Sequence, residues 1–379
     1  MRIALLTDGI HPYVIGGMQM HSFYLAKYFA KAKIEVDLYH PFINISEKEF
    51  LACFLPEEEI YIHPIFVDFP KKKYFPGHYI VESYKYSQNI SNEYFRRNSP
   101  DFIYAQGFTG WELLKKKKKK RNNISPIGVN FHGLNMFQPS FGWKTKLNNV
   151  FFKPAVKYNL LNADCVFSLG TNLSNLISHI SKNIIEIPIG IDNTWLVNEE
   201  EITNNDIVNF IFVGRYDVVK GIDILNNSLK KLIASDASFM FNFVGPFPAE
   251  GQINDKRVKY FGEIKNKAEL KNIVKKSDVI VLASYSEGMP TVIIEAMACG
   301  LAVLSTNVGV IDELVDDGNG ILIIPGDSDI LKKALSDFIK ISPKKLLEMK
   351  LNSRKKVELN FLWDKIISKT IYQIEKFIS

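Results

Sequence analysis

Cysteine is scarce in this chain of 379 residues: only Cys53, Cys165 and Cys299, far apart. That spacing supports neither a disulfide framework nor a zinc site and fits a reducing compartment. No apolar run approaches the roughly 20 residues of a membrane-spanning helix. The opening "MRIALLTDG" has an apolar run of only four residues before Thr7 and Asp8, too short for the core of a signal peptide. It reads as a buried first strand, so the expectation is a cytoplasmic protein without a cleaved export signal. No G-x-G-x-x-G follows that strand and no P-loop occurs anywhere, which disfavours nicotinamide dehydrogenases and P-loop NTPases. The seven histidines show no metal spacing. The Asp327-x-Asp329 pair falls where a helix cap and a first turn belong, so no metal is expected there.

What is present is ordinary in amount but not in placement. Hydrophobic residues make up 46% and charged residues 23%, the balance of a soluble globular protein. The net charge of +6 is uneven. Residues 1–192 carry 23 Lys and Arg against 16 Asp and Glu, hence +7; the remainder carries 24 against 25, hence −1. A basic first half suggests an anionic partner surface: nucleic acid, phospholipid or anionic substrate. The "KKKKKKR" run at 115–121 reads as the exposed end of a helix, where cations suit the dipole. The segment "KTKLNNVFFKPAVKYNLL" (144–161) reads as a helix over a sheet or an interfacial membrane helix, with Pro154 arguing against either.

Short apolar runs alternate with segments of helical period. "RIALLTD", "EVDLYHP", "DFIYAQG", "PIGVNFH", "DCVFSLG" and "IIEIPIG" come first. After the polar "DNTWLVNEEEITNND" follow "VNFIFVG", "FMFNFVG", "VKYFGEI", "DVIVLAS" and "LAVLSTN". Strands separated by helices imply right-handed βαβ units and parallel sheets. The expectation is an α/β protein of two Rossmann-like doubly wound domains, 1–192 and 193–360, with a ligand cleft between them. The length also favours two domains. The tail 361–379 presents Phe361, Trp363, Ile366, Ile367 and Ile371 as an apolar helical stripe.

Three strand-to-helix turns carry the polar chemistry. In "HPYVIGGMQMH", Gly16 and Gly17 let backbone approach a ligand ahead of a helix start. In "FVGRYDVVKGIDIL", Arg215 and Lys220 lie across a loop at a strand's carboxyl end, a forked and a point cation suited to a diphosphate. In "VLASYSEGMPTVIIEAMACG", Glu287 stands in the loop, and Met289, Pro290 and Thr291 mark a helix start able to receive phosphate. Pro290 reads as the first helical position and Gly300 as the stop. Glu295 sits inside this apolar helix, and a buried carboxylate is costly without donors. An ion pair inside the protein and a ligand with hydroxyl donors both answer that need.

Taken in order, these motifs resemble the retaining glycosyltransferases of the GT-B group known as family 4, or glycosyl transferases group 1. Their hallmark is Glu, seven residues, Glu, met by Glu287 and Glu295. Gly214, Arg215, Lys220 and Gly221 meet the Gly-Arg…Lys-Gly element, Gly16 and Gly17 the N-terminal loop, and His132 in "NFHGLNMF" the acceptor-side histidine. Two positions depart from the pattern: Ile189 stands where Asn is frequent, and Val310 where a second Gly is frequent. The resemblance implies a nucleotide-diphosphate sugar donor, UDP- or GDP-linked, with no metal or other cofactor. It assigns Glu295 to the ribose hydroxyls, Glu287 to the transferring sugar, Arg215 and Lys220 to the diphosphate, and His132 to the donor sugar. It implies retention of anomeric configuration and a final helix crossing back onto the first domain, and the expected acceptor is a glycan, lipid-linked or cell-envelope molecule. The Lys tracts at 71–73, 115–120 and 144–157 add an anionic membrane surface as a partner. A nucleotide-sugar epimerase of the same fold is the alternative enzyme. A nucleic-acid-binding protein rests only on the basic balance, since no motif for base readout occurs, and no nucleic acid partner is expected.

Overall fold

The computed structural model describes residues 1–70, 77–119, 123–138 and 143–378. They form two compact units, residues 1–189 with 363–379 and residues 190–362. The first unit contains β1 (Arg2–Leu6), β2 (Glu35–Pro41), β3 (Ile62–Val67), β4 (Phe102–Gln106), β5 (Ile127–Asn130), β6 (Cys165–Ser168) and β7 (Ile184–Glu186). They make one sheet in the order β3-β2-β1-β4-β5-β6-β7, every pair parallel. The second unit contains β8 (Asn209–Val213), β9 (Met240–Val244), β10 (Val258–Tyr260), β11 (Val279–Leu282), β12 (Ala302–Thr306) and β13 (Gly320–Ile323). Its order is β10-β9-β8-β11-β12-β13, again all parallel.

Parallel strands joined by helices are covered on both faces, so their sequences read as unbroken apolar runs. Ile3, Leu5 and Leu6 of β1, Phe210 and Phe212 of β8, and Val279 to Val281 of β11 are wholly buried. Each sheet reverses its winding once, between β1 and β4 and between β8 and β11. In doubly wound sheets, ligands bind outside the carboxyl ends of the strands at this point. Two of the four edge strands, β3 and β13, are absent from the apolar runs seen in the sequence. Pro64 and the half-buried His63 interrupt β3, and β13 opens on Gly320 and is only partly buried.

The Trp363–Ile378 helix belongs to the first unit. Trp363 is fully buried, stacked on Tyr24 and Tyr28 at 5.7 Å, and Ile366, Ile367 and Ile374 join the same core. The polar stretch 192–206 is not an open linker. Trp195, Val197 and Ile202 are buried in it, the Val197 amide donates to the Ala298 carbonyl, and residues 190–362 form one unit.

Pro154 does not end its helix, which runs from Trp143 to Asn162. No helix among the described residues is long and apolar enough to cross a membrane. All three cysteines are free.

Candidate functional site

At the winding reversal of the second sheet, three loops are fastened together by backbone. After β8 the chain passes Gly214 and Arg215 to a short 3-10 turn, Val218–Lys220, capped by the Asp217 carboxylate, which accepts from the Val219 amide at 3.0 Å. Gly221 closes the turn with φ +65°, and a Cβ there would lie 2.0 Å from the Ala283 carbonyl oxygen. Only glycine permits both that conformation and that approach. The Tyr285 amide donates to the Val219 carbonyl at 2.8 Å, tying the loop after β11 to this turn. From the other side Gly309, φ +64°, presses on the Glu287 and Gly288 carbonyls, where a Cβ would sit at 2.4 and 2.5 Å. The position after it, Val310, is fully buried and needs no such freedom.

These loops bring Lys220 and Glu287 into contact, Nζ to Oε1 at 2.7 Å. Ser284 donates its hydroxyl to the same Oε1 at 2.6 Å, and the Ser284 carbonyl accepts from Thr306 Oγ1 at 2.6 Å. Ser284 and Thr306 are buried. Arg215, in the loop after β8, is exposed and has no ion pair among the described residues. One cation is thus held by a carboxylate and the other is open to an anion.

The Thr291–Ala298 helix begins one residue later than the sequence suggested. Pro290 is its N-cap and not its first helical residue, with φ −76° and ψ 109°. Its far end is a Schellman closure: the Gly300 amide donates to the Met297 carbonyl at 2.9 Å and the Leu301 amide to the Ala296 carbonyl at 3.0 Å, with Gly300 at φ +76°. Met289 is buried, and Thr291 is partly open at the helix start.

Glu295 is half-buried on this helix, and burial pushes its carboxyl up to about 7, opposed in part by the field of Lys267. Among the described residues its carboxylate has no hydrogen bond and no ion pair. Asp278, 17 residues before, shows what a structural carboxylate looks like. It is fully buried and accepts from Lys350 Nζ at 2.7 Å, Asn205 Nδ2 at 2.9 Å and the Asn209 amide at 2.9 Å. The second unit satisfies the buried Asp278 carboxylate completely and gives the half-buried Glu295 carboxylate no donor among the described residues.

Gly16, Gly17 and His132 belong to the first unit. Gly16 caps the Gly17–Lys31 helix and both glycines are exposed. His132 Nε2 lies 3.1 Å from Gln106 Oε1, and Gln106 Nε2 lies 3.1 Å from His21 Nδ1. The two imidazoles meet edge to face at 4.4 Å. Burial lowers His132 to about 4 and holds His21 well below the usual histidine range. Both are neutral near pH 7, so His132 is a hydrogen-bonding group rather than a cation. A cavity of about 120 Å³ opens at the ends of β1 and β4, lined by Asp8, Gln19, Tyr79, Tyr86 and Gln106 among others. Asp8 accepts from Gln19 Nε2 at 2.9 Å, and burial raises it to about 6. Asp8, Gln106 and Ser284 were missed in the sequence. Gln106 ends β4, and Asp8 and Ser284 lie two residues past the ends of β1 and β11; that position was the available signal.

The lysine run is largely committed inside its own unit. Lys115 donates to Tyr84 Oη at 2.6 Å, Lys116 to Ser91 Oγ at 2.9 Å, and Lys117 pairs with Asp164 at 2.6 Å. Lys71, Lys72, Lys73, Lys120 and Arg121, and the side chains of Lys144 and Lys146, lie outside the described residues. Asp327 accepts from the Asp329 and Ile330 amides, and Asp329 pairs with Lys231 at 2.7 Å, so both act at the helix start.

Residues 208–340 match the family model described as glycosyl transferases group 1. Over 375 residues the chain is 27% identical to the uncharacterized glycosyltransferase MJ1178 of Methanocaldococcus jannaschii, covering 96% of this chain and 95% of that one. Over 128 residues it is 34% identical to the putative teichuronic acid biosynthesis glycosyltransferase TuaC of Bacillus subtilis, covering 34% of this chain and 32% of that one. The fold is similar to that of Anabaena HepE in complex with UDP and glucose, with TM-score 0.68 and 19% identity over 99% of this chain and all of that one.

Proposed function

Given that the chain is a GT-B glycosyltransferase of the group 1 type, we propose that its second unit binds a nucleoside-diphosphate sugar and transfers the sugar with retention, without a metal. The observation that carries this is Glu295, a half-buried carboxylate raised to about 7 that has no donor among the described residues. Two vicinal ribose hydroxyls supply the donors it lacks. The diphosphate then falls to Arg215 and Lys220, with the amides at the start of the Thr291–Ala298 helix adding their partial positive charge. The HepE complexes with UDP and glucose support a ligand of this class.

In the reaction, the bond from the sugar's anomeric carbon to the phosphate oxygen breaks and the acceptor oxygen bonds to that carbon. The leaving diphosphate gains negative charge, which Arg215 and Lys220 stabilise in place of a metal. The acceptor's proton passes to a phosphate oxygen, so no protein base is required. Glu287 holds hydroxyls of the transferring sugar. Calorimetric titration of the full chain with UDP and with GDP tests the donor site: one of them is expected to bind, and binding of neither refutes it.

For the acceptor we propose a cell-envelope glycan or a lipid-linked sugar, reached from the cytoplasmic face of the membrane. The first unit supports contact with lipid through a groove of about 580 Å³ lined by Ile80, Val81, Trp111, Phe151 and Pro154. Val150, Phe151 and Leu161 on its helix are exposed. Because Lys115 to Lys117 are engaged internally, this contact is mainly apolar and weakly salt-dependent. Sedimentation with neutral and anionic vesicles at low and high salt tests it, and absence from both pellets refutes it.

A further inference from the structure

Glu287 Oε1 accepts from two donors of different character. Lys220 approaches on a flexible stem from the 3-10 turn, and its side chain is 24% exposed. Ser284 is wholly buried at the end of β11, with its backbone anchored by Thr306 from β12. One bond can leave without disturbing the sheet and the other cannot.

We infer that Ser284 is a positioning residue, holding Glu287 for the transferred sugar while Lys220 passes from that carboxylate to the donor's phosphates. This rests on reading the second unit as the donor site. In this structure Lys220 and Glu287 neutralise one another, and an incoming diphosphate competes for the ammonium with more charge than one carboxylate. When Lys220 turns away, Glu287 gives up that cation beside phosphate, which is unfavourable unless hydroxyl donors replace it. The donor's sugar brings such hydroxyls, and a bare nucleoside diphosphate does not. The pair therefore disfavours the product diphosphate relative to the donor, and the Ser284 hydroxyl keeps the carboxylate aimed throughout.

Two measurements on the full chain test this. The first needs no nucleotide: acetylation of Lys220 by limiting acetic anhydride, read by peptide mass spectrometry with the other lysines as internal reference. Glu287→Gln is expected to speed modification of Lys220 several-fold. Ser284→Ala is expected to speed it to a lesser degree, and Ser284→Thr, which keeps the hydroxyl, to restore the wild-type rate. The second is titration with UDP and with GDP. Glu287→Gln is expected to bind the diphosphate about two- to fivefold more tightly, the scale of one partly exposed ion pair. Unchanged Lys220 reactivity in Glu287→Gln overturns the ion pair, and failure of Ser284→Thr to rescue overturns the positioning role. Weaker diphosphate binding by Glu287→Gln overturns the hand-over. If wild type binds neither nucleotide while the acetylation pattern holds, the donor reading fails, and the hand-over with it, while the ion pair stands.

Discussion

Replacing Glu295 by Gln keeps the shape of the side chain and removes its charge. The carboxyl is raised from 4.5 to about 7 by burial. The native state therefore keeps a proton that the unfolded chain has released, and between about pH 4.5 and 7 stability falls as pH rises. Above that window the penalty is full and level; below it the penalty vanishes. Such a rise corresponds to about 3 kcal/mol for a fully enclosed group. Glu295 is only half-buried, and screening reduces the expected penalty to about 1–2 kcal/mol. Glu295→Gln is thus expected to stabilise the second unit by about that amount at pH 8.5 and by nothing measurable near pH 4.5. Nucleotide reverses the sign. Loss of hydrogen bonds from ribose to a charged acceptor costs about 1.5–3 kcal/mol of binding, or roughly ten- to a hundredfold in Kd. Urea unfolding at both pH values, with and without saturating UDP or GDP, reads all of this. Hydrogen exchange of peptides from residues 279–306 reports the second unit alone. A variant less stable than wild type at pH 8.5 without nucleotide would show that Glu295 has a structural partner, and equal nucleotide stabilisation of the two proteins would remove it from the donor site.

Arg215→Ala and Lys220→Ala are each expected to slow transfer by roughly two to three orders of magnitude, the scale of one preorganised charge contact; rates within a few-fold of wild type would exclude them from the leaving-group site. Transfer is expected to survive EDTA, and a strict Mg²⁺ or Mn²⁺ requirement would show that the two cations do not suffice. Lys350→Met leaves Asp278 buried and uncompensated and should cost roughly 3–5 kcal/mol in urea unfolding without altering nucleotide affinity. His132, lowered to about 4 by burial, should show no imidazole titration by NMR between pH 5 and 8. The unfolded chain takes up that proton first, so this group costs stability as pH falls from about 6.5 towards 4; a midpoint near 6.5 would mean the ring is solvated.

The central strands were legible because burial on both faces leaves an apolar run that needs no context. Two of the four edge strands were not: β3 tolerates Pro64 and β13 starts on a glycine because neither is fully covered. The glycines of the site could be placed by their neighbours in sequence, and Glu295 stood out as a charge in an apolar helix. Its lack of a partner could not be read, because Asp278 looks as anomalous in sequence and is fully paired by residues 69 and 72 positions away. The Lys220–Glu287 contact spans 67 positions and was hidden for the same reason. Pro154 misled because a helix tolerates one missing amide bond when tertiary packing holds it.

The docking of the Trp363–Ile378 helix onto the first unit has a consequence for the order of events during synthesis. The second unit is an insertion in the first: residues 190–362 emerge from the ribosome before the helix that completes the earlier core. Until then Tyr24 and Tyr28 lack the indole of Trp363 that covers them. The unit begun first is finished last, and the nascent chain carries an open apolar face while the second unit, already whole, is free to fold.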